Sequence, residues 1–388
     1  MTARASNPLL GFTVKAQDLS FTGHGLMRPE CVLAERDGTL WTADARGGVM
    51  RIDPDGSQLL ILQAVEAPPG PHTLQPASRP DAAGAASHPA NPATAAGRPA
   101  TPEAVPRGPS GVRLALGASG RRPDPATAAD RPRTTTPAAS GPRDPGTACG
   151  ERSGSGSAAP DTSVARYILA GTLPNGLAFD ANGDFIIANF GTDAVERMTR
   201  DGISQTVISE LAGRPLGKVN FALTDSRGRI WITVHTRQDP WLISINEKTP
   251  DGYVLLIDDD GPRVAAGRFV GTNEIRFDAN EEWLYVVESN ARRISRLRVA
   301  GDGTLSRREI YGPRDLGAVP DGIALDAAGN LWVTLVSCDR LIAITPQGKV
   351  ITLLDDGNPE GAAAFDAAYQ AGTMTPELLG GGRVRWHR

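Results

Sequence analysis

The stretch Pro320-Asp321-Gly322-Ile323-Ala324-Leu325-Asp326-Ala327-Ala328-Gly329-Asn330-Leu331-Trp332 decides the fold, because its pattern recurs four more times along the chain. An oxygen-bearing residue stands first and an alternating apolar run follows. A carboxylate falls five places on, a glycine eight places on, and an aliphatic or Trp strand begins eleven places on. The other copies start at Glu30 (Glu35, Gly38, Trp41), Asn175 (Asp180, Gly183, Ile186), Asn220 (Asp225, Gly228, Trp231) and Asn273 (Asp278, Glu281 in the glycine slot, Leu284). Alternation such as Ile-x-Leu marks a half-buried strand, and Asp-x-x-Gly before a second apolar run is hairpin-turn chemistry. Each copy therefore predicts a β-hairpin.

The steps from Asn175 to Asn220, Asn273 and Asp321 are about 45 to 53 residues, the length of a four-stranded propeller blade. The second half of each unit agrees: another apolar run, a turn such as Asp55-Gly56, Asp201-Gly202, Asp251-Gly252, Asp302-Gly303 or Gln347-Gly348, and a last short strand such as 59–62 or 350–354. The expected fold is all-β, a β-propeller of four-stranded blades. Blade one runs from Glu30 to about Leu62 behind an N-terminal strand, blades two to five fill 167–356, and 357–388 is a helical tail. In that tail Asn358 caps a helix that starts at Pro359, and a second short helix starts near Thr375-Pro376-Glu377. Phe12-Thr13-Val14-Lys15 is a candidate strand for closing the ring.

Residues 63–166 break the pattern. They contain no Ile, Phe, Tyr, Trp, Met or Lys and consist mainly of Ala, Pro, Gly, Ser, Thr, Arg and Asp without period. Such text cannot bury enough apolar area to offset its ordering entropy, so it reads as a disordered low-complexity insertion. The spacing agrees: Glu30 and Asn175 lie about 145 residues apart, and removing about 95 to 100 restores one blade period. A surface linker and GC-rich DNA read out of frame are both consistent with the composition. No function is assigned to it.

A net charge of -4 leaves no electrostatic footprint for nucleic acid or an anionic membrane. There is no signal-peptide pattern at the start and no apolar run near twenty residues. Cys31, Cys149 and Cys338 are odd in number and lack metal-type spacing, which suits a reduced, cytoplasmic setting. The expected partner is a small molecule.

Residues at one repeat position of a propeller lie at one height around the axis, so Glu30, Asn175, Asn220, Asn273 and Asp321 should converge. Singly, Asn175-Gly176 and Asp321-Gly322 are ordinary turn dipeptides; the shared register of five copies is what turns them into a ring. Two carboxylates and three amides offer only hard oxygen ligands, a set for Ca²⁺ or Mg²⁺ rather than structural zinc. An ion there can polarise a lactone carbonyl and acidify water beside a carboxylate base. The carboxylates five places on read as turn formers, and Trp41, Trp231 and Trp332 as core between blades. Cys31 reads as core, His235 as a solvated rim histidine and Arg292-Arg293 as a solvated pair.

Leu173-Pro174-Asn175-Gly176-Leu177-Ala178-Phe179-Asp180, Thr272-Asn273-Glu274-Ile275-Arg276-Phe277-Asp278 and Pro320-Asp321-Gly322-Ile323-Ala324-Leu325-Asp326 with Leu331-Trp332-Val333 resemble the SMP-30/gluconolactonase/LRE-like family. The resemblance covers most of 28–356 outside the insertion. It implies a six-bladed propeller, here with its last blade missing or truncated. It also implies one tunnel-bound divalent cation, Ca²⁺ or another such as Mg²⁺, Zn²⁺ or Mn²⁺, and hydrolysis of a small polar, sugar-type lactone or related ester. Residue by residue, it implies Glu30, Asn273 and Asp321 as metal ligands and Asp321 as catalytic base. Asn220, and with it Asn175, is read as a substrate contact. Cys31-Val32 after the glutamate and Val219-Asn220-Phe221 depart from the family pattern of Gly-Pro and Asn-Asp. The alternative function is a non-catalytic β-propeller binding scaffold, which a lactone panel with and without Ca²⁺ distinguishes.

Overall fold

The computed structural model describes residues 7–66 and 166–380, which form a β-propeller of five four-stranded antiparallel blades. Blade one is Val32–Ala34, Leu40–Asp44, Gly48–Ile52 and Gln58–Leu62. Blade two is Pro174–Phe179, Phe185–Asn189, Ala194–Met198 and Ser204–Ile208, and blade three is Val219–Thr224, Ile230–Val234, Gly252–Asp258 and Gly261–Phe269, with the short helix α1 (Ile243–Glu247) in the connection between its second and third strands. Blade four is Thr272–Phe277, Trp283–Glu288, Arg293–Val299 and Leu305–Ile310, and blade five is Pro320–Leu325, Leu331–Leu335, Arg340–Ile344 and Val350–Asp355. Strands adjacent in sequence pair within every blade, as a meander of hairpins requires.

The first hairpin of each blade closes where the repeat predicts. The fourth residue of the turn must adopt a left-handed backbone, and Gly38, Gly183, Gly228 and Gly329 do so with φ of 94°, 82°, 78° and 79°. Glu281 occupies this slot in blade four at φ 54°, where a side chain costs roughly 1–2 kcal/mol. Its carboxylate offsets part of that cost by accepting from the Ser226 backbone N–H at 2.7 Å and the Ser226 hydroxyl at 2.6 Å, which ties blade four to blade three.

Blades pack face to face through the strand residues that point sideways. Trp41 of blade one meets Phe185 of blade two edge-on with centroids 4.9 Å apart, and Trp231 of blade three meets Phe277 of blade four at 5.4 Å. Trp332, the equivalent residue of blade five, was expected to pack between blades as well. It packs instead with Leu341, Ile351, Ala343, Leu353 and Leu9 of the N-terminal segment. That segment runs from blade five to blade one: Asn7 donates to the Asn330 side chain at 2.6 Å, Val14 N–H donates to Leu353 O at 2.7 Å, and His24 exchanges two bonds with the Gln58 amide. Residues 12–15 join no sheet, so the expected closing strand is replaced by an extended strap, and blade one is built entirely from its own four strands.

The margins of 63–166, expected without structure, are ordered. Ala64–Glu66 pairs antiparallel with Arg166–Ile168, and Gln63 is fully buried against Glu196 and Ser204. The remainder of that expectation, 67–165, lies outside the described residues.

After blade five, Asn358 accepts from the N–H groups of Glu360 and Gly361 and starts helix α2 (Pro359–Ala371), which ends at Gly372 in the left-handed conformation. A further short helix, α3 (Pro376–Gly380), follows. Phe365, Tyr369 and Met374 bury together with Ile245, Trp241 and Leu242 from the long blade-three connection, making a helical cap. The cap reaches blade four through Arg292. This residue is 6% exposed rather than solvated, and its guanidinium is held by Asp315 at 2.6 Å and by Asp366 of α2. Among the described residues no helix is long and apolar enough to cross a membrane.

Candidate functional site

A β-bulge lies at the ring position of four inner strands. The antiparallel register shifts between Pro174 and Leu177, Val219 and Phe221, Thr272 and Ile275, and Pro320 and Ile323. These intervals contain Asn175, Asn220, Asn273 and Asp321. A bulge adds an unpaired residue and bends the strand, which re-aims its side chain. Glu30 stands two residues before the first strand of blade one, outside any ladder.

Two sides of the ring follow from the contacts. On one side, the Asn273 amide donates to Asp321 Oδ1 at 2.5 Å and to Ser289 Oγ at 3.1 Å, while Ser289 donates to Pro320 O at 2.7 Å. Asn273 therefore spends its N–H₂ on its neighbours, and its carbonyl oxygen is the end left for a ligand. Glu30 joins this side electrostatically: burial first, and then the negative charge of Asp321, push its pKa up to about 7, against the pull of Arg28. Burial also raises the pKa of Asp321, opposed by the Asn273 hydrogen bond and the Arg28 charge. On the other side, the Asn175 amide donates to Asn220 O at 2.8 Å. The Oδ1 atoms of Asn175 and Asn220 are both buried without a hydrogen-bond partner.

Buried carbonyl oxygens without donors are costly, and burial raises both carboxylates even with the Arg28 charge beside them. A hard divalent cation supplies what both sides lack, so the donor set fits one. Among the described residues no group of three or more His, Cys, Asp or Glu could hold a metal; the set here works through amide oxygens as well as two carboxylates.

Glu274 belongs to the site and was missed. It is 7% exposed, accepts from Ile323 N–H at 3.1 Å, pairs with Arg276, and has its pKa raised to about 7 by burial, with Asp321 adding to the rise. The signal was a carboxylate one place after the ring residue, where the other copies carry Cys31, Gly176, Phe221 and Gly322. Cys31 is core as expected: its buried thiol lies 3.4 Å from Asn175 O and accepts from Leu177 N–H at 3.1 Å, and burial pushes it up to about 12.

His235 is 5% exposed, contrary to the solvated rim position expected. Its Nε2 lies 3.2 Å from the Asn290 amide, its ring meets Trp241 at 6.0 Å, and burial lowers its pKa to about 4, so it is neutral near pH 7. A loop histidine became buried because the helical cap closes over it. The cavity of about 600 Å³ lined by Phe21, Leu40, Ile52 and Pro54 sits at the opposite end of blade one from Glu30 and is separate from the ring.

The family profile described as the SMP-30/Gluconolactonase/LRE-like region matches residues 204–357, from the last strand of blade two through blade five. Over these residues the chain is similar to that family. An uncharacterized protein of Sulfolobus acidocaldarius is 30% identical over 138 residues, covering 34% of this chain and 47% of its own. A 6-deoxy-6-sulfogluconolactonase of Pseudomonas putida is 26% identical over 149 residues, covering 36% and 48%. The chain thus spans about half the length of the curated relatives it matches. Among solved structures, a gluconolactonase of Xanthomonas campestris aligns at 22% identity with a TM-score of 0.40, over 48% of this chain and 63% of its own. The SMP-30/gluconolactonase/LRE-like match contains Asn220, Asn273 and Asp321; Glu30 and Asn175 lie before it.

Proposed function

We propose that the chain is a divalent-cation-dependent hydrolase that opens a small polar, sugar-type lactone or a related ester. The observation that supports this most directly is the pair of buried, partnerless amide oxygens on Asn175 and Asn220, which hold the same repeat position as the two raised carboxylates Glu30 and Asp321. Glu30, Asn273 and Asp321 would hold the cation, with Ca²⁺ the best match to an all-oxygen set and Mg²⁺, Mn²⁺ or Zn²⁺ as alternatives. When bound, such an ion polarises the scissile carbonyl and acidifies water. Asp321 takes the proton of the attacking water: Asn273 holds Oδ1, leaving Oδ2 as acceptor, and burial brings the carboxyl's proton affinity nearer to neutrality. Asn175 and Asn220 orient the substrate's hydroxyl groups through their carbonyl oxygens. Ser289 keeps Asn273 and the start of the Asp321 strand in register.

The family similarity of 204–357 and the sulfogluconolactonase relative support a lactone substrate. We also read the architecture as the six-bladed type with its sixth position covered by the strap 7–27, a reading supported by Trp332 facing that strap instead of a further blade. The test is a panel of hexonolactones and simple aryl esters, assayed on protein stripped with chelator and then reloaded with Ca²⁺, Mg²⁺, Mn²⁺ or Zn²⁺. Turnover that returns only with cation is the expected result. A folded, cation-loaded sample inert on every lactone and ester would favour the binding scaffold.

A further inference from the structure

Above the ring, the repeat position two residues before each ring residue is occupied by Arg28, Leu173, Lys218, Gly271 and Val319. The two cations stand on blades one and three, on either side of blade two. The blade-two residue between them is Phe190, which follows the strand Phe185–Asn189 and donates its N–H to Leu173 O at 3.0 Å. Both cations reach this ring. The Arg28 guanidinium carbon lies 5.8 Å and the Lys218 ammonium 5.5 Å from its centroid. Trp241 packs edge-on against Phe190 at 5.6 Å, so one aromatic ring stands between two positive charges and a second aromatic side chain.

Arg28 pairs with Glu30 at 2.6 Å, its charge also reaching Asp321, and Lys218 pairs with Asp193 at 2.9 Å. Glu30 is also a ring oxygen donor, and a cation held by Glu30 would free Arg28 from its carboxylate. A guanidinium and an ammonium held beside one aromatic ring then offer several N–H donors within reach of one ligand group. Arg in particular matches the planar or tetrahedral oxygens of a carboxylate, sulfonate or phosphate. A neutral sugar lactone needs no such pair.

We propose that the ligand of this site carries an anionic oxyacid group, received at the mouth by Arg28 and Lys218 while the lactone or ester end lies over the ring. This rests on the hydrolase reading for the reacting end only; the mouth contacts stand apart from it. The experiment compares glucono-1,5-lactone with its 6-phosphate on the cation-loaded full chain, and sorbitol with sorbitol 6-phosphate by calorimetry, for wild type, Lys218→Gln and Arg28→Gln/Lys218→Gln. Lys218→Gln isolates the mouth charge, because Arg28 also touches Glu30.

The expected result is a kcat/KM at least about tenfold higher for the phosphorylated lactone, shrinking as salt rises from low to roughly 0.5 M and falling by about tenfold or more in the double variant. Sorbitol 6-phosphate should bind wild type and lose affinity in Lys218→Gln, whereas sorbitol should not discriminate between them. If neither lactone turns over but the phosphate-dependent binding is present and lost in the variants, the anion site stands and the hydrolase reading falls. Equal kcat/KM for the two lactones, or a phosphate preference that Lys218→Gln and the double variant leave unchanged, overturns the proposal.

Discussion

At its turn end the first hairpin of every blade but the fourth closes with the same bonds, whereas at its tunnel end the hairpins differ from one another. The turn end repeats one backbone pattern in four blades, such as Asp225 N–H to Arg229 O with Gly228 N–H to Asp225 O, or Asp326 N–H to Asn330 O with Gly329 N–H to Asp326 O, and blade four widens it by one residue, with Asp278 N–H donating to Trp283 O. Where a Trp follows six places on, the carboxylate also accepts its indole N–H: Glu35 from Trp41 at 2.9 Å, Asp225 from Trp231 at 2.9 Å, Asp326 from Trp332 at 3.1 Å. Each indole is thereby satisfied inside its own blade, and the turn carboxylates Glu35 and Glu281 add bonds to Arg200 of blade two and Ser226 of blade three. At the tunnel end, Asn175, Asn273 and Glu30 interact with residues of other blades or of the strap, and two oxygens have no donor at all. The same motif thus carries scaffolding at one end and chemistry at the other, and the two are told apart by whether a polar group is satisfied locally.

The largest break in this contrast comes from Asp321→Asn. It keeps the size and an acceptor for Asn273 but removes the base, so kcat on a responsive lactone should fall by about 10³-fold or more, with the melting temperature little changed. Stopped-flow or coupled pH assays beside a thermal melt check both halves. A near wild-type rate with bound Ca²⁺ would remove Asp321 from its role.

Glu30→Gln should act on the cation before it acts on rate. Its apparent Kd for Ca²⁺, read by calorimetry, should rise by roughly 100-fold, the upper end of the loss typical of an outer-shell change. Turnover should partly recover at saturating Ca²⁺.

Acid should loosen the same ligand in wild type. The Glu30 carboxyl has a pKa raised to about 7 by burial and by Asp321. Below that value it is protonated, and the cation must displace the proton. The Ca²⁺ Kd is therefore expected to rise about tenfold per unit as pH falls from 7 to 5, and to flatten above pH 8. In Glu30→Gln this dependence should shrink.

The smallest effect on the tunnel should come from the turn end. Asp225 accepts from Trp231, from the backbone of Arg227 and Arg229, and from the Arg229 side chain. Asp225→Ala strands the buried indole N–H and should cost about 2–3 kcal/mol of stability, while moving the Ca²⁺ Kd less than about twofold. A large shift in that Kd would mean that the two ends are coupled through the blade.

The repeat made the blades, the turns and the five ring positions legible from the chain alone, because hairpin contacts are local and recur wherever the same residues recur. Glu35, Asp180, Asp225, Asp278 and Asp326 could be read as turn formers without knowing any neighbour, and Asn358-Pro359 as a helix start for the same reason. Other features depend on which blade stands beside which. Glu274 becomes a buried acid only because Ile323 of blade five and Arg276 surround it. His235 and Arg292 read as solvated until α2 and the blade-three connection close over them. Arg28 and Lys218 look like ordinary surface cations until blades one and three place both beside Phe190. The strap from Asn7 to Met27 has no periodic pattern to announce that it lies along blade five. A hydrophobic period and turn chemistry determine what each segment does to itself; desolvation and the meeting of charges are set by residues far apart in sequence, and these only the tertiary structure decides.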